Sequence, residues 1–141
     1  MINIQILDEF YSLERCRAQP GSLFVFGDNL LARGKKGQAI IRDAPNSYGI
    51  PTKRIPAMHQ GAFFSDQADE FAAVDRRIEG LHQIWQAGQD ANGRRYDTLV
   101  FPAAGLGTGL ARMPELGSVD VLFPDLVSTD LGLMQGKKRA A

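Results

Sequence analysis

The first residues, INIQIL, alternate apolar and polar positions, the period of a strand with one buried face. LFVF (23–26) and TLVFPAA (98–104) are instead continuous apolar runs, which predict strands covered on both faces. Between them, from about Asp66 to Ala87, the residues Phe71, Val74, Ile78, Leu81 and Trp85 step by three and four. That spacing predicts a helix with one apolar side. Ser65 or Asp66 can cap its start, Asp66, Asp69 and Glu70 suit the positive end of its dipole, and Gly88 stands at its stop.

The remaining elements are weaker. Asp8–Gln19 predicts a short helix with Phe10, Leu13 and Cys16 facing inward. Gln38–Asp43 predicts another, stopped by Pro45. GIPTK (49–53) is β-prone, with Pro51 confining it to an edge, a bulge or an irregular strand. AFF (62–64) suggests a further short strand. After Glu115, Val119, Leu122, Phe123 and Leu126 have helical spacing interrupted by Pro124, and a helix starting at Pro124 is the alternative. Residues 137–141 read as a frayed tail. Strands alternating with helices predict one α/β domain over 1–141, its sheet flanked by helices on both faces.

Composition narrows the chemistry. The 141 residues carry a formal net charge of zero, so no global field attracts nucleic acid or anionic lipid, and any anion site is local. The single cysteine, Cys16, excludes an internal disulfide and a multi-cysteine zinc site. His59 and His82 are too scattered for a metal site, and no metal or cofactor is expected. No apolar run approaches membrane-spanning length, and the first residues lack a basic segment followed by a long apolar one. A cytoplasmic protein without membrane or nucleic-acid partners is expected.

Two glycine-rich loops follow the two apolar runs. The first extends from Gly27 to Gly37; the second places Gly105, Gly107 and Gly109 at alternate positions. In an open α/β sheet, ligands bind beyond the carboxyl ends of the strands. If the two strands are parallel neighbours, the loops border one crevice. Glycine lets backbone N–H groups approach a ligand closely, and successive N–H groups can form an anion nest. Lys35, Lys36, Lys53 and Arg112 supply local positive charge. A diphosphate suits two such loops. The bland alternative is a pair of tight turns, since neither loop is a Walker sequence or a dinucleotide fingerprint.

The segments VFGDN, GQAIIRD, GIPTK, LVFPAAGLGTG and GLGTGLARMPE, over about residues 22–115, together resemble the macro domain family. They are most similar to its small bacterial and phage macro-like members. The resemblance implies a three-layer α/β/α domain with a mixed, largely parallel sheet. It also implies a cleft for ADP-ribose or a related nucleotide diphosphate, presented as a small molecule or on an ADP-ribosylated macromolecule. The implied binding residues are Gly27, Gly34, Gly37, Gln38, Ala104, Gly105, Leu106, Gly107, Thr108, Gly109 and Arg112. Two departures stand out: Gly27-Asp28-Asn29-Leu30 replaces the family's Asn-Ala-Ala-Asn run, and the early Gly-Asp-Ile segment has no counterpart.

Asp28 and Asn29 are the candidates for chemistry. Asn29 can orient a ribose hydroxyl or a water, and Asp28 can serve as a general base within hydrogen-bond reach of its proton. Both residue types equally make turns and caps. Thr108 and Arg112 suit a phosphate, or their own loop and Glu115. Gln38, Arg42 and Lys53 can line the cleft, Arg42 equally being an exposed helix residue. Cys16 reads as a small core residue, His82 as a flank of the long helix and the Trp85 stripe as packing. Three functions remain open: a hydrolase acting at the distal ribose or its phosphate, a nucleotide-binding module without turnover, and a phosphoribohydrolase of the lysine-decarboxylase-like group. The last group's Pro-Gly-Gly-x-Gly-Thr motif has a passing likeness to 105–109. A partner-binding protein with an empty cleft is the fourth reading.

Overall fold

The computed structural model describes residues 2–53 and 68–106. In chain order these form β1 (Asn3–Leu7), α1 (Leu13–Ala18), β2 (Ser22–Asn29), a 3-10 helix (Gly37–Ile41), β3 (Ser47–Lys53), α2 (Ala68–Ala87) and β4 (Thr98–Pro102). The strands make one sheet in the order β1-β4-β2-β3, and all three pairings are parallel. The architecture is α/β. Because β4 inserts between β1 and β2, the two continuous apolar runs become the central strands, and Leu23–Phe26 and Leu99–Phe101 are buried.

The pleat sends alternate residues of these strands into separate cores. Leu23, Val25, Leu99 and Phe101 pack with Ile4, Ile50 and the α2 residues Val74, Leu81, Ile84 and Trp85. Phe24, Phe26 and Val100 pack with Leu7, Tyr11, Cys16, Ile41 and Ala44. Each fully buried large side chain contributes about 1.5–3 kcal/mol, which is why central strands apolar on both sides are stable here.

Helix α2 ends as its sequence predicts: Gly88 adopts φ 72 and its N–H donates to the Ile84 carbonyl at 2.8 Å. Ile78 packs at the margin of the stripe. Gly80 interrupts the helix for a packing reason. A Cβ there would lie 2.6 Å from the Tyr48 hydroxyl, which donates to the Arg77 carbonyl at 2.7 Å. Arg77 in turn lies 3.8 Å over the Tyr48 ring and donates to the Gly49 carbonyl at 2.9 Å. Among the described residues, strand β3 is an edge strand, and its pairing with β2 shifts register between Asp28 and Asn29, beside Pro51. Both features suit a residue that has no N–H to donate.

Two local expectations need correction. Helix α1 starts only at Leu13, because the Ser12 hydroxyl accepts the Arg15 N–H at 3.1 Å and fixes the cap there. Phe10 therefore precedes the helix and is 98% exposed rather than inward, while Cys16 is buried. The segment after Gly37 winds as a tighter 3-10 turn. The cap at Ser65 or Asp66, the strand at 62–64, His59, the Phe71 side chain and every reading beyond Leu106 lie outside the described residues. Among the described residues, no helix is long and apolar enough to cross a membrane.

Candidate functional site

Strands β2 and β4 part before they end. Their pairing runs from Ser22 opposite Thr98 to Phe24 opposite Val100, although β2 continues to Asn29 and β4 to Pro102. Beyond that point side chains replace the ladder. The buried Tyr11 hydroxyl lies 2.7 Å from the Val25 carbonyl and 3.1 Å from the Val100 carbonyl, and shares its proton between them. Burial, and secondarily the neighbouring Cys16, raises the Tyr11 phenol well above its ordinary range, so it stays a neutral donor.

Further along the split stands Gln38. Its Oε1 accepts the Gly27 N–H at 2.8 Å and its Nε2 donates to the Gly105 carbonyl at 3.0 Å. The two loops are thus joined by one amide, each end matched to a backbone group of opposite polarity. Gly27 is required at this junction: a Cβ would sit 2.3 Å from the Leu106 carbonyl oxygen. Gly27, Gln38, Gly105 and Leu106 therefore meet at the carboxyl ends of adjacent parallel strands. Ala104 lies exposed beside them, and Gly34 and Gly37 lie on the exposed part of the first loop with φ of 89 and 60.

Asp28 and Asn29 occupy the last turn of β2 and are committed to local partners. The Asp28 carboxylate takes a two-point ion pair from Arg42, Oδ2 to Nη1 at 2.9 Å and Oδ1 to Nη2 at 2.5 Å, and also accepts the Asn29 N–H at 2.8 Å. The pair is largely shielded, with side-chain exposures of 16% for Arg42 and 10% for Asp28. Those hydrogen bonds, against the opposing effect of burial, raise the Arg42 pKa above its ordinary value. Asn29 is buried. Its Oδ1 accepts the N–H groups of Leu31 and Arg33 at 3.1 and 3.4 Å, and its Nδ2 donates to the Arg33 carbonyl at 2.8 Å. Asn29 thereby folds the loop 29–33 around its own amide, as asparagine does in turns.

Arg42 is consequently neither a free cleft residue nor an exposed one. Lys35 pairs with Asp43 at 2.6 Å with both side chains mostly exposed, an interaction of small worth, and Lys36 is exposed. Gly107, Thr108, Gly109, Arg112 and the Lys53 side chain lie outside the described residues. Two residues that the pattern did not single out shape the region. One is Tyr11, hidden in a charged stretch. The other is Asn46, buried after Pro45, whose Nδ2 lies 2.9–3.0 Å from the carbonyls of Cys16, Gln19 and Ser22. A turn signal was Asn46's only visible mark, and Tyr11 had none beyond being an aromatic next to Phe10.

These features define a parallel α/β domain whose two central strands diverge between glycine-bearing loops. Residues 6–117 match the model of a family of unknown function, DUF7831, and the chain belongs to that family. No curated protein and no solved structure matches it.

Proposed function

We propose that the chain is a macro-like domain that binds ADP-ribose or a related nucleotide diphosphate between its two glycine-rich loops. One observation carries this: the loops leave adjacent parallel strands at their carboxyl ends and are tied by Gln38 between Gly27 and Gly105. That is where open α/β sheets receive ligands. A three-layer arrangement with a mixed sheet, and a cytoplasmic setting, belong to the same proposal. Gly107, Thr108, Gly109 and Arg112 would complete the second wall.

Binding without turnover is favoured over hydrolysis by the commitments of the two candidate catalytic groups. Asp28 would have to leave Arg42 to take a proton, and Asn29 would have to release its loop to orient a water. Thermal shift and calorimetry with ADP-ribose, its distally phosphorylated form, NAD, AMP and ADP test the ligand class. A ligand selective for the folded state raises the melting temperature. Stabilisation by ADP-ribose without product release is expected. Release of free base from AMP would move the protein to the phosphoribohydrolases, and the absence of any nucleotide effect would overturn the binding proposal.

A further inference from the structure

Arg42 uses both edges of its guanidinium. Nη1 and Nη2 engage the Asp28 carboxylate; the other edge, Nε and Nη2, donates to the carbonyls of Gly34 and Arg33 at 2.9 and 3.0 Å. Two successive carbonyls therefore face the same side of the loop, and Asn29 Nδ2 reinforces the one at Arg33. No peptide bond here is cis. In a trans peptide group the N–H points opposite to the C=O. The N–H groups of Gly34 and Lys35 are thus turned together away from Arg42.

Gly34 makes this possible. Its φ of 89 lies where L side chains are rarely found, and it lets consecutive peptide planes present the same edge. Both residues are exposed, and among the described residues neither N–H has a protein acceptor. Lys36 adds an exposed positive charge next in the chain, while the Lys35 ammonium pairs with Asp43. Arg42 is poorly placed to bind an anion itself, because these four hydrogen bonds engage most of its five N–H donors.

The geometry points to Arg42 and Asp28 as a positioning pair that holds the Gly34 and Lys35 N–H groups as a preformed two-donor nest for a phosphate oxygen. The identity of the natural ligand rests on the nucleotide proposal above. The nest itself does not, since two donors on one side of the loop suit any phosphate oxygen.

Titrating inorganic pyrophosphate into the ¹⁵N-labelled full chain tests the assignment by amide resonance. Gly34 and Lys35 are expected to shift most. Arg42→Lys keeps the charge but cannot hold two carbonyls and a carboxylate at once. It is expected to weaken pyrophosphate binding by about tenfold or more, the scale of losing hydrogen bonds to a charged group. Unchanged affinity and unchanged Gly34 and Lys35 shifts in a folded Arg42→Lys protein overturn the proposal. Should that variant not fold, the wild-type map decides: shifts confined to other amides, or no shift, overturn it equally. ADP-ribose binding that leaves Gly34 and Lys35 unmoved sinks the nest and leaves the nucleotide proposal standing. Pyrophosphate shifts at these two amides without any nucleotide binding do the reverse.

Discussion

The bridge made by Gln38 can be broken with little change of shape. In Gln38→Glu the oxygen facing Gly27 remains and still accepts its N–H, now with charge assistance. At the other end a donor becomes an acceptor, so two oxygens stand about where the 3.0 Å bond to the Gly105 carbonyl was. Leaving that carbonyl unpaired and opposed costs about 1–3 kcal/mol. For a domain of this size the melting temperature at pH 7 should fall by roughly 3–10 °C.

Protonation distinguishes this cause from generic damage. A protonated carboxyl at position 38 regains a donor toward Gly105, so the folded state binds that proton more tightly than the unfolded chain does. Its folded pKa is therefore raised above an unfolded value of about 4.3. With more protons bound in the folded state, the added stability is fully present below the unfolded value and is lost as pH rises through the folded one. Circular-dichroism melts of wild type and variant at pH 7, 6, 5 and 4 should show the difference between them shrinking toward acid. A gap that stays constant over that range, or no gap at pH 7, refutes the assignment of Gln38 as a bridge between the loops.

Other perturbations follow from single contacts. Gly27→Ala places a methyl 2.3 Å from a backbone oxygen, which cannot swing aside; a loss of about 1–3 kcal/mol in urea melts is expected, and wild-type stability would show that the loops do not meet there. Gly80→Ala would ordinarily stabilise a helix by about 0.5–1 kcal/mol. Here the Tyr48 hydroxyl blocks the methyl, so the single variant should lose stability while Gly80→Ala in a Tyr48→Phe background should gain it; gain in both backgrounds refutes the clash. Burial raises the phenols of Tyr11, Tyr48 and Tyr96 above 10.0 and the Cys16 thiol above 9.0. Their neutral forms therefore stabilise the fold below those values, and that stability is lost as pH rises through the folded pKa values. Tyr11→Phe should be less stable at pH 7 by about 1–2 kcal/mol yet decline less steeply above pH 10; an identical alkaline slope would show that Tyr11 is not buried neutral in the split.

What could be read in advance was whatever repeats within a few residues. LFVF and TLVF announce strands covered on both sides because burial on two faces removes the polar alternation, and the 74–81–85 stripe announces α2 because a helix returns to the same side every three or four residues. Pro51 confined its strand to an edge, a bulge or an irregular strand, and among the described residues that strand is both outermost and shifted in register, since a missing N–H is tolerated there. The insertion of β4 between β1 and β2 has no such local mark. It alone converts two separate glycine loops into neighbours.

The site depends on the long-range part. Gln38 reaches 67 residues along the chain to Gly105, Tyr11 reaches 89 to Val100, and Arg42 reaches 14 back to Asp28. Residue type left Asp28 open as a base or a turn residue and Arg42 as a cleft or an exposed helix residue, because each was judged alone. Placed together behind largely shielded walls, a carboxylate and a guanidinium satisfy one another first, since either one left unpaired there would carry the full desolvation penalty. What they leave over is the guanidinium's second edge, and that edge is what orders the carbonyls of Arg33 and Gly34. Polar side chains at the end of β2 therefore act on the loop's backbone, and in the nest proposed above it is backbone N–H groups, not these side chains, that would meet a ligand.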